Sequence, residues 1–355
     1  MDIDFSEINY LQDPTWRDLH ADYEQFLLSM TGPTVIDVTG ENQDKCRVFT
    51  TLLHGNEPSG LIALHRYLTE IVPQKKPATN LRFIICSIEA ATSRPLFSKR
   101  FIDGGMDINR CFGKNCYFEY LDAQKGYCQR ASLIEQAISE VKPEMVIDLH
   151  NSSSSGPTFA ISSVVTTETL SLASLFCQTL ILSDLKIGSI MEQDFKCPFI
   201  TIECGGCQDE QAHEIAFSGI SQVASCESIG YIHQEKPVEV IYRPLRLQLK
   251  PDIKLSYAQH DEGYSGVTLK DNIECFNFGS ALQDEMLGWI DGNGLNSLQL
   301  IDKVGTDVLN EYFYARENQL VCRHNLRLFK ATTNKNTAIN DCLFYVVKLA
   351  STNNA

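Results

Sequence analysis

The chain has 355 residues, 43% of them hydrophobic and 21% charged. Such ordinary globular usage excludes a disordered, collagenous or fibrous protein, and at about 150 residues per domain the length predicts two domains, each able to bury a core. A formal net charge of −15, from 30 Lys and Arg against 45 Asp and Glu, excludes nucleic acid and an anionic membrane surface as expected partners. An anionic small molecule stays open, because the field inside a cleft can oppose the global sign.

The strand and helix patterns alternate through the first two-thirds of the sequence. Val35–Thr39, Arg47–Leu53, Leu81–Ser87, Met145–Leu149 and Phe199–Ile202 are short apolar runs with β-branched residues, which predicts buried strands. Between them Ser59–Ile71, Ala131–Val141 and Thr169–Leu182 carry helical spacing. This alternation predicts an α/β fold with a mostly parallel or mixed sheet. After about Tyr231 the texture changes. Val238–Tyr242, Leu245–Leu249, Gly266–Leu269, Met286–Ile290 and Phe344–Leu349 read as short strands between Gly, Asp and Asn turns, with no long helix. A β-rich second domain is expected over 235–355, after a first domain over 1–234.

Met1–Tyr10 is acidic and lacks the apolar stretch of a secretory leader, and no run approaches the roughly 18 apolar residues of a membrane helix. The 13 cysteines are scattered through hydrophobic stretches, which predicts reduced, buried thiols and a cytoplasmic protein. A homo-oligomer is compatible with this composition.

Chemistry concentrates at the ends of the predicted strands. In Thr50–Gly60 (TTLLHGNEPSG) a buried strand runs into His54, a Gly-Asn turn follows, and Glu57-Pro58 opens a helix. His54 and Glu57 then share a tight turn at the sheet edge where α/β proteins place ligands, and such a pair can supply ligands to one zinc ion. The spacing is equally that of a strand-end histidine and an exposed first-turn carboxylate. Val146–Asn151 (VIDLHN) ends another strand on His150, so a distant third ligand could return to the same edge, as in an open catalytic zinc site. Asp148 lies two positions before His150, on the same face of the strand, and is either an orienting carboxylate or a solvated strand-end residue. Phe199–Gly206 (FITIECGG) ends on Glu203, a carboxylate that could move a proton beside a metal. Arg94, Lys99, Arg100 and Arg110 form a basic loop in an acidic chain. It is suited to grip a carboxylate or an oxyanion, or else simply to be a solvated surface loop.

HGNEPSG, the Arg-Phe-Ile-Asp at 100–103, DINRCF at 107–112, DLHN at 148–151 and IECGG at 202–206 occur in the order seen in one family. The sequence resembles the succinylglutamate desuccinylase/aspartoacylase branch of the zinc carboxypeptidase-like enzymes. The resemblance implies a zinc carboxypeptidase-like α/β/α domain with a mixed sheet, followed by a β-rich C-terminal domain. It also implies His54, Glu57 and His150 as ligands of one Zn2+ per chain, and Glu203 as general base and acid. By the same resemblance Arg100 would polarise the scissile carbonyl, Asn109 and Arg110 would hold the substrate carboxylate, and Tyr314, or Tyr312, would reach the substrate from the C-terminal domain. The implied reaction is hydrolysis of the amide bond of a small N-acyl amino acid. The alternatives are a metallocarboxypeptidase acting on peptide C-termini and a metal-binding relative without turnover.

This chain departs from the family pattern in two places. Gly104-Gly105-Met106 is inserted between Arg100 and Asn109. Where aspartoacylase-like members carry an arginine for an acidic side chain, Met191–Phe195 (MEQDF) has none, so the expected substrate side chain is neutral or basic. Cys204 and Cys207 form a C-x-x-C without a second pair, and Ser152–Ser155 has no nucleophile-elbow glycines, so neither a redox nor a serine-hydrolase site is expected. His65 is expected at the surface or the core edge, and His20, His213, His233, His260 and His324 receive no role.

Overall fold

The computed structural model describes residues 3–113, 122–152, 156–228 and 237–349. The expected domain boundary at 234/235 and most of the serine run lie outside the described residues. By contact density the chain divides into two compact units, Met1–Ser152 with Thr158–Ile241, and Tyr242–Ala355 with Ser153–Pro157.

The first unit is built on a nine-stranded sheet. Its strands are β1 (Asn9–Gln12), β2 (Thr34–Val38), β3 (Asn42–Thr51), β4 (Thr79–Ile85), β5 (Met145–Ser152), β6 (Phe159–Ser162), β7 (Thr179–Leu182), β8 (Phe199–Gly206) and β9 (Glu239–Tyr242), in the order β1-β2-β4-β3-β5-β8-β6-β7-β9. β4, β3, β5 and β8 run parallel at the centre, while the β2–β4 and β6–β8 pairs are antiparallel. The sheet is therefore mixed, as the strand patterns predict.

Alternation along the central strands sets the layers. Phe49, Phe83, Ile147 and Ile200 face a core shared with the Ser59–Arg66 and Glu210–Ser225 helices. Their neighbours Val48, Ile84, Val146 and Phe199 face a second core under the Asp122–Ser139 helix. A strand buried on both sides needs apolar residues at every position, and that is why these runs read as continuous rather than alternating. The result is the expected α/β/α arrangement.

Helices differ from the sequence reading in four places, the first being that expected over Ala131–Val141, which spans Asp122–Ser139. The helix expected over Ser59–Ile71 is regular to Arg66 and then widens, with the Val72 N–H donating to the Tyr67 carbonyl at 3.1 Å. The stretch read as one helix over Thr169–Leu182 is a helix over Thr167–Ser174 followed by β7. Leu180, Ile181 and Leu182 form an apolar run too short to have a diagnostic period, and pairing with β6 makes it a strand. Glu210–Ser225 forms a long helix that the pattern reading passed over.

The Ser59–Arg66 helix lies so close to the sheet that a Cβ on Gly60 would meet Thr51 Oγ1 at 2.2 Å and Leu149 Cβ at 2.9 Å. Gly60→Ala is therefore expected to cost about 1–3 kcal/mol through overpacking. Urea unfolding reads this directly, and a midpoint equal to that of the unaltered protein would show that the helix can back away freely.

The second unit contains two five-stranded sheets, and a single apolar core draws on both, with Leu247, Phe344 and Val346 from one and Val267, Leu287 and Leu320 from the other. Strands at Leu245–Leu249, Val267–Lys270, Met286–Ile290 and Phe344–Lys348 match the expected runs closely, whereas the expected Val238–Tyr242 run forms β9 at the edge of the nine-stranded sheet. Among the described residues the helices after Tyr242 are short. Cys46, Cys86, Cys204, Cys207 and Cys322 are free thiols, as expected, whereas Cys128 is disulfide-bonded and departs from that expectation. No helix among the described residues is long and apolar enough to cross a membrane.

Candidate metal centre

The site is assembled from the C-terminal ends of β3, β5 and β8. After β3 the buried Leu52 takes φ +52°, a left-handed conformation that a γ-branched side chain rarely adopts and that persists only where its surroundings impose it. They do so here: the Ser87 N–H donates to the Leu52 carbonyl at 2.8 Å and Ser87 Oγ donates to the Leu53 carbonyl at 2.9 Å. The chain then turns at His54–Glu57, where the Glu57 N–H donates to the His54 carbonyl at 3.2 Å, before entering the helix at Ser59.

His54, Glu57 and His150 are 4–5% exposed, and one ligand atom from each lies within 4.8 Å of the others. Glu57 sits between the two rings. Its Oε1 is 2.9 Å from His54 Nδ1 and its Oε2 is 2.6 Å from His150 Nδ1. The far nitrogens are held by carboxylates: His54 Nε2 is 3.0 Å from Asp107 Oδ1, and His150 Nε2 is 2.6 Å from Asp148 Oδ2. Thr50 Oγ1 donates to the other oxygen of Asp148 at 2.6 Å. At His150 a carboxylate accepting from Nε2–H leaves the Nδ1 lone pair for a metal, and this is how outer partners fix a ligand's tautomer; His54 Nε2 also lies 2.7 Å from Arg100 Nη2. Asp148 is fully buried, so it orients His150 rather than meeting solvent.

One buried atom tests whether the cluster suits a cation. His54 Nδ1 has no hydrogen-bond partner despite its proximity to Glu57 Oε1. A buried nitrogen aimed at a point shared with a carboxylate oxygen and a second imidazole is what a bound cation would satisfy, and two nitrogens with one carboxylate oxygen suit zinc. The electrostatics agree. Burial alone would raise the Glu57 carboxyl, but His54 and His150 beside it hold it well below the usual range. Burial likewise opposes ionisation of Asp107, and His54, Arg100 and Arg110 outweigh it.

Glu203 lies directly across from His150 in the β5–β8 register and is 5% exposed. Paired positions on neighbouring strands present their side chains to the same face, so the carboxylate stands beside the ligand cluster. Ser152 Oγ donates to its Oε2 at 3.3 Å. Arg100 reaches the same cluster from its loop. Its Nη1 donates to Glu57 Oε1 at 3.2 Å and its Nη2 to Asp107 Oδ2 at 3.0 Å. The loop is tied to the His54 turn because the Gly55 N–H donates to the Arg100 carbonyl at 2.9 Å.

Residues 49–220 match the succinylglutamate desuccinylase/aspartoacylase catalytic domain. That segment belongs to the family. The match contains each ligand candidate, Arg100 and Glu203. No curated protein sequence matches the chain, but solved structures share its fold at low identity. The chain is similar to a succinylglutamate desuccinylase from Vibrio parahaemolyticus, with 14% identity, a TM-score of 0.59, and coverage of 92% of this chain and 94% of that one. It is also similar to murine aminoacylase 3, with 13% identity, a TM-score of 0.54, and coverage of 87% and 96%. A Rhodobacter sphaeroides succinylglutamate desuccinylase/aspartoacylase gives 13%, 0.54, 89% and 89%.

The other residues that the family pattern singles out are placed as follows. Asn109 Oδ1 accepts the Ile190 N–H at 2.9 Å, so its side chain ties the 107–112 segment to the 187–192 segment. Arg110 Nη1 donates to the Asn109 carbonyl at 2.8 Å and lies 3.9 Å from Asp107 Oδ2. Tyr314 lies in the second unit, where its hydroxyl donates to Asp284 Oδ1 at 2.6 Å. In the stretch without the family arginine, Glu192 Oε1 accepts from the N–H groups of Ile187 and Ser189, and Asp194 pairs with Lys196. His65 is buried, with Nε2 bonded to the Leu19 carbonyl at 2.9 Å. Sequence reading left Asp107, Ser59 and His213 without a role. Asp107 sits inside the DINRCF motif, so a carboxylate beside a ligand histidine was legible in kind though not in partner. Ser59 and His213 meet at 2.7 Å across 154 positions, and no local spacing signals that.

Proposed function

We propose that the protein is a zinc-dependent hydrolase that cleaves the amide bond of small N-acyl amino acids. The observation that carries this reading is the buried His54–Glu57–His150 cluster with Glu203 in register beside His150. His54, Glu57 and His150 would hold one Zn2+ per chain, which when bound lowers the pKa of water and polarises a carbonyl. Glu203 accepts the proton of the attacking water and returns it to the leaving amine, so the amine departs neutral. The Arg100 guanidinium stabilises the oxyanion that forms as the carbonyl carbon becomes tetrahedral. Asn109 and Arg110 hold the carboxylate of the amino acid, a task for which a planar guanidinium is suited. Tyr314 is assigned to the substrate on family resemblance.

The substrate side chain is neutral or basic in this reading, because the stretch at 191–195 carries no arginine and its Glu192 is occupied by backbone N–H groups. A cytoplasmic location accords with the free buried thiols, and assembly into a homo-oligomer is compatible with this reading. Metal analysis combined with a panel of N-acetyl, N-formyl and N-succinyl amino acids against dipeptides is the decisive test. Bound zinc with turnover of the N-acyl amino acids is expected. Turnover of dipeptides alone would make the protein a carboxypeptidase, and absence of both metal and metal-restored hydrolysis would remove the enzyme reading.

Asp148→Asn keeps the shape of the orienting residue but removes its charge. It is expected to weaken zinc binding about 10–100-fold, measured by competition with a chromophoric chelator. Unchanged affinity would mean that Asp148 only supports the fold.

A further inference from the structure

The end of β8 is irregular beside the ligand cluster. β5 and β8 stay in register from Val146 opposite Phe199 to His150 opposite Glu203 and then slip, so that Ser152 faces Gly206. β8 carries the extra residue across this bulge, and Gly205 takes φ +122° there, a conformation that side chains rarely adopt. A bulge re-aims the residues next to it, and here the neighbour is Glu203.

Asn151 fills the slip. It is 3% exposed, and its polar groups are all engaged. Nδ2 donates to the Gly205 carbonyl at 2.9 Å, lies 3.3 Å from the Gly206 carbonyl and reaches Ser59 Oγ at 2.7 Å. Oδ1 accepts the Ser59 N–H at 3.0 Å, and the backbone N–H donates to Glu57 Oε2 at 3.3 Å. Ser59 Oγ, which accepts from Asn151, also lies 2.7 Å from His213 Nδ1 on the Glu210–Ser225 helix. Burial lowers the His213 pKa, which favours the neutral ring. One amide thus joins the turn bearing Glu57, the strand bearing His150 and the bulge after Glu203.

We propose that Asn151 is a positioning residue that fixes Glu203 relative to the His54–Glu57–His150 cluster by clamping the β8 bulge to the first turn of the Ser59–Arg66 helix. Its side-chain atoms are occupied by protein, so it acts through Glu203 and not on the substrate. The inference rests on the hydrolase reading for its kinetic part only.

The test uses the full zinc-loaded chain with N-acetyl-L-methionine, or whichever panel amide is hydrolysed fastest. Asn151→Ala is expected to lower kcat about 10–100-fold while KM stays within about threefold. In the Glu203→Gln background the same change should add nothing, because a group acting through Glu203 has no further effect once the carboxylate is gone. Asn151→Ser, which keeps one hydroxyl donor, should recover part of kcat. An unchanged kcat, or a full additional loss in the double variant, would overturn the proposal.

Co2+ binding supplies a readout that needs no turnover. The visible bands of the Co2+-loaded protein should change in Asn151→Ala and, to a smaller degree, in Ser59→Ala, which removes only the hydroxyl link and serves if Asn151→Ala does not fold. Identical spectra in the variants and the unaltered protein would overturn the clamp. If the unaltered protein binds Co2+ but hydrolyses no panel amide, the hydrolase reading fails alone and the spectra still decide the role of Asn151.

Discussion

Glu203→Gln is expected to reduce kcat by about 10²–10⁴-fold, the range of general acid–base catalysis, while leaving bound zinc at the level of the unaltered protein. The substitution is nearly isosteric at a position 5% exposed, and the amide can still accept from Ser152 Oγ, which lies 3.3 Å from Oε2. What disappears is the ability to accept a proton and give it back. Glu203 lies beside His150 in register but outside the ligand cluster, so metal content and folding should be insensitive to the change. Steady-state kinetics with metal analysis on the same sample separates these effects. Retained turnover would move the base to another residue, and turnover lost together with zinc would make Glu203 part of the metal site.

Glu57→Gln should act on the other half of the chemistry. Glu57 is the anionic member of the cluster, and both imidazoles lie within 3 Å of its oxygens. Its carboxyl is held well below its usual range by those histidines, so the anion is present at neutral pH. Gln preserves the shape and removes the charge, leaving two neutral nitrogens and a weak carbonyl ligand for a dication. The loss of zinc affinity should exceed the roughly 10–100-fold that follows from losing an outer-shell partner, and hydrolysis should fall in parallel. Excess zinc should restore activity partially, which marks an affinity defect. Stoichiometric zinc after dialysis would be incompatible with Glu57 as a ligand.

The central parallel strands were legible because burial on both faces forces continuous apolar runs, and the ligand candidates were legible because they stand at the ends of those runs within short motifs. His54 and Glu57 share one turn, so their proximity is local. His150 and Glu203 terminate separate strands, and their meeting needed only the parallel order of β5 and β8. Where the run was short the reading failed: Leu180–Leu182 fits a helix as well as a strand, and only pairing with β6 decides between them. His213 was passed over for a related reason. Its partner Ser59 lies on another helix far away in sequence, and a lone histidine on a helix has no pattern that names its neighbour.

The sequence by itself determined the layer type of the first unit, the β-rich character of the second, and the residue types available for metal and proton chemistry, since periodicity and strand-end motifs are local properties of the chain. Tertiary structure alone decided which nitrogen of each histidine faces Glu57, that Asp107 and Asp148 hold the far sides of the rings, and that Asn151 spans the slip between β5 and β8. Apart from the local Asp148–His150 contact, these are directional hydrogen bonds between distant segments, and their geometry is set by strand register and by the helix resting on Gly60. The net charge of −15 behaves in the same way: as a sum it speaks to partners, while the cationic Arg100 and Arg110 beside a buried ligand cluster exist only once the loop at 94–110 is folded against the His54 turn.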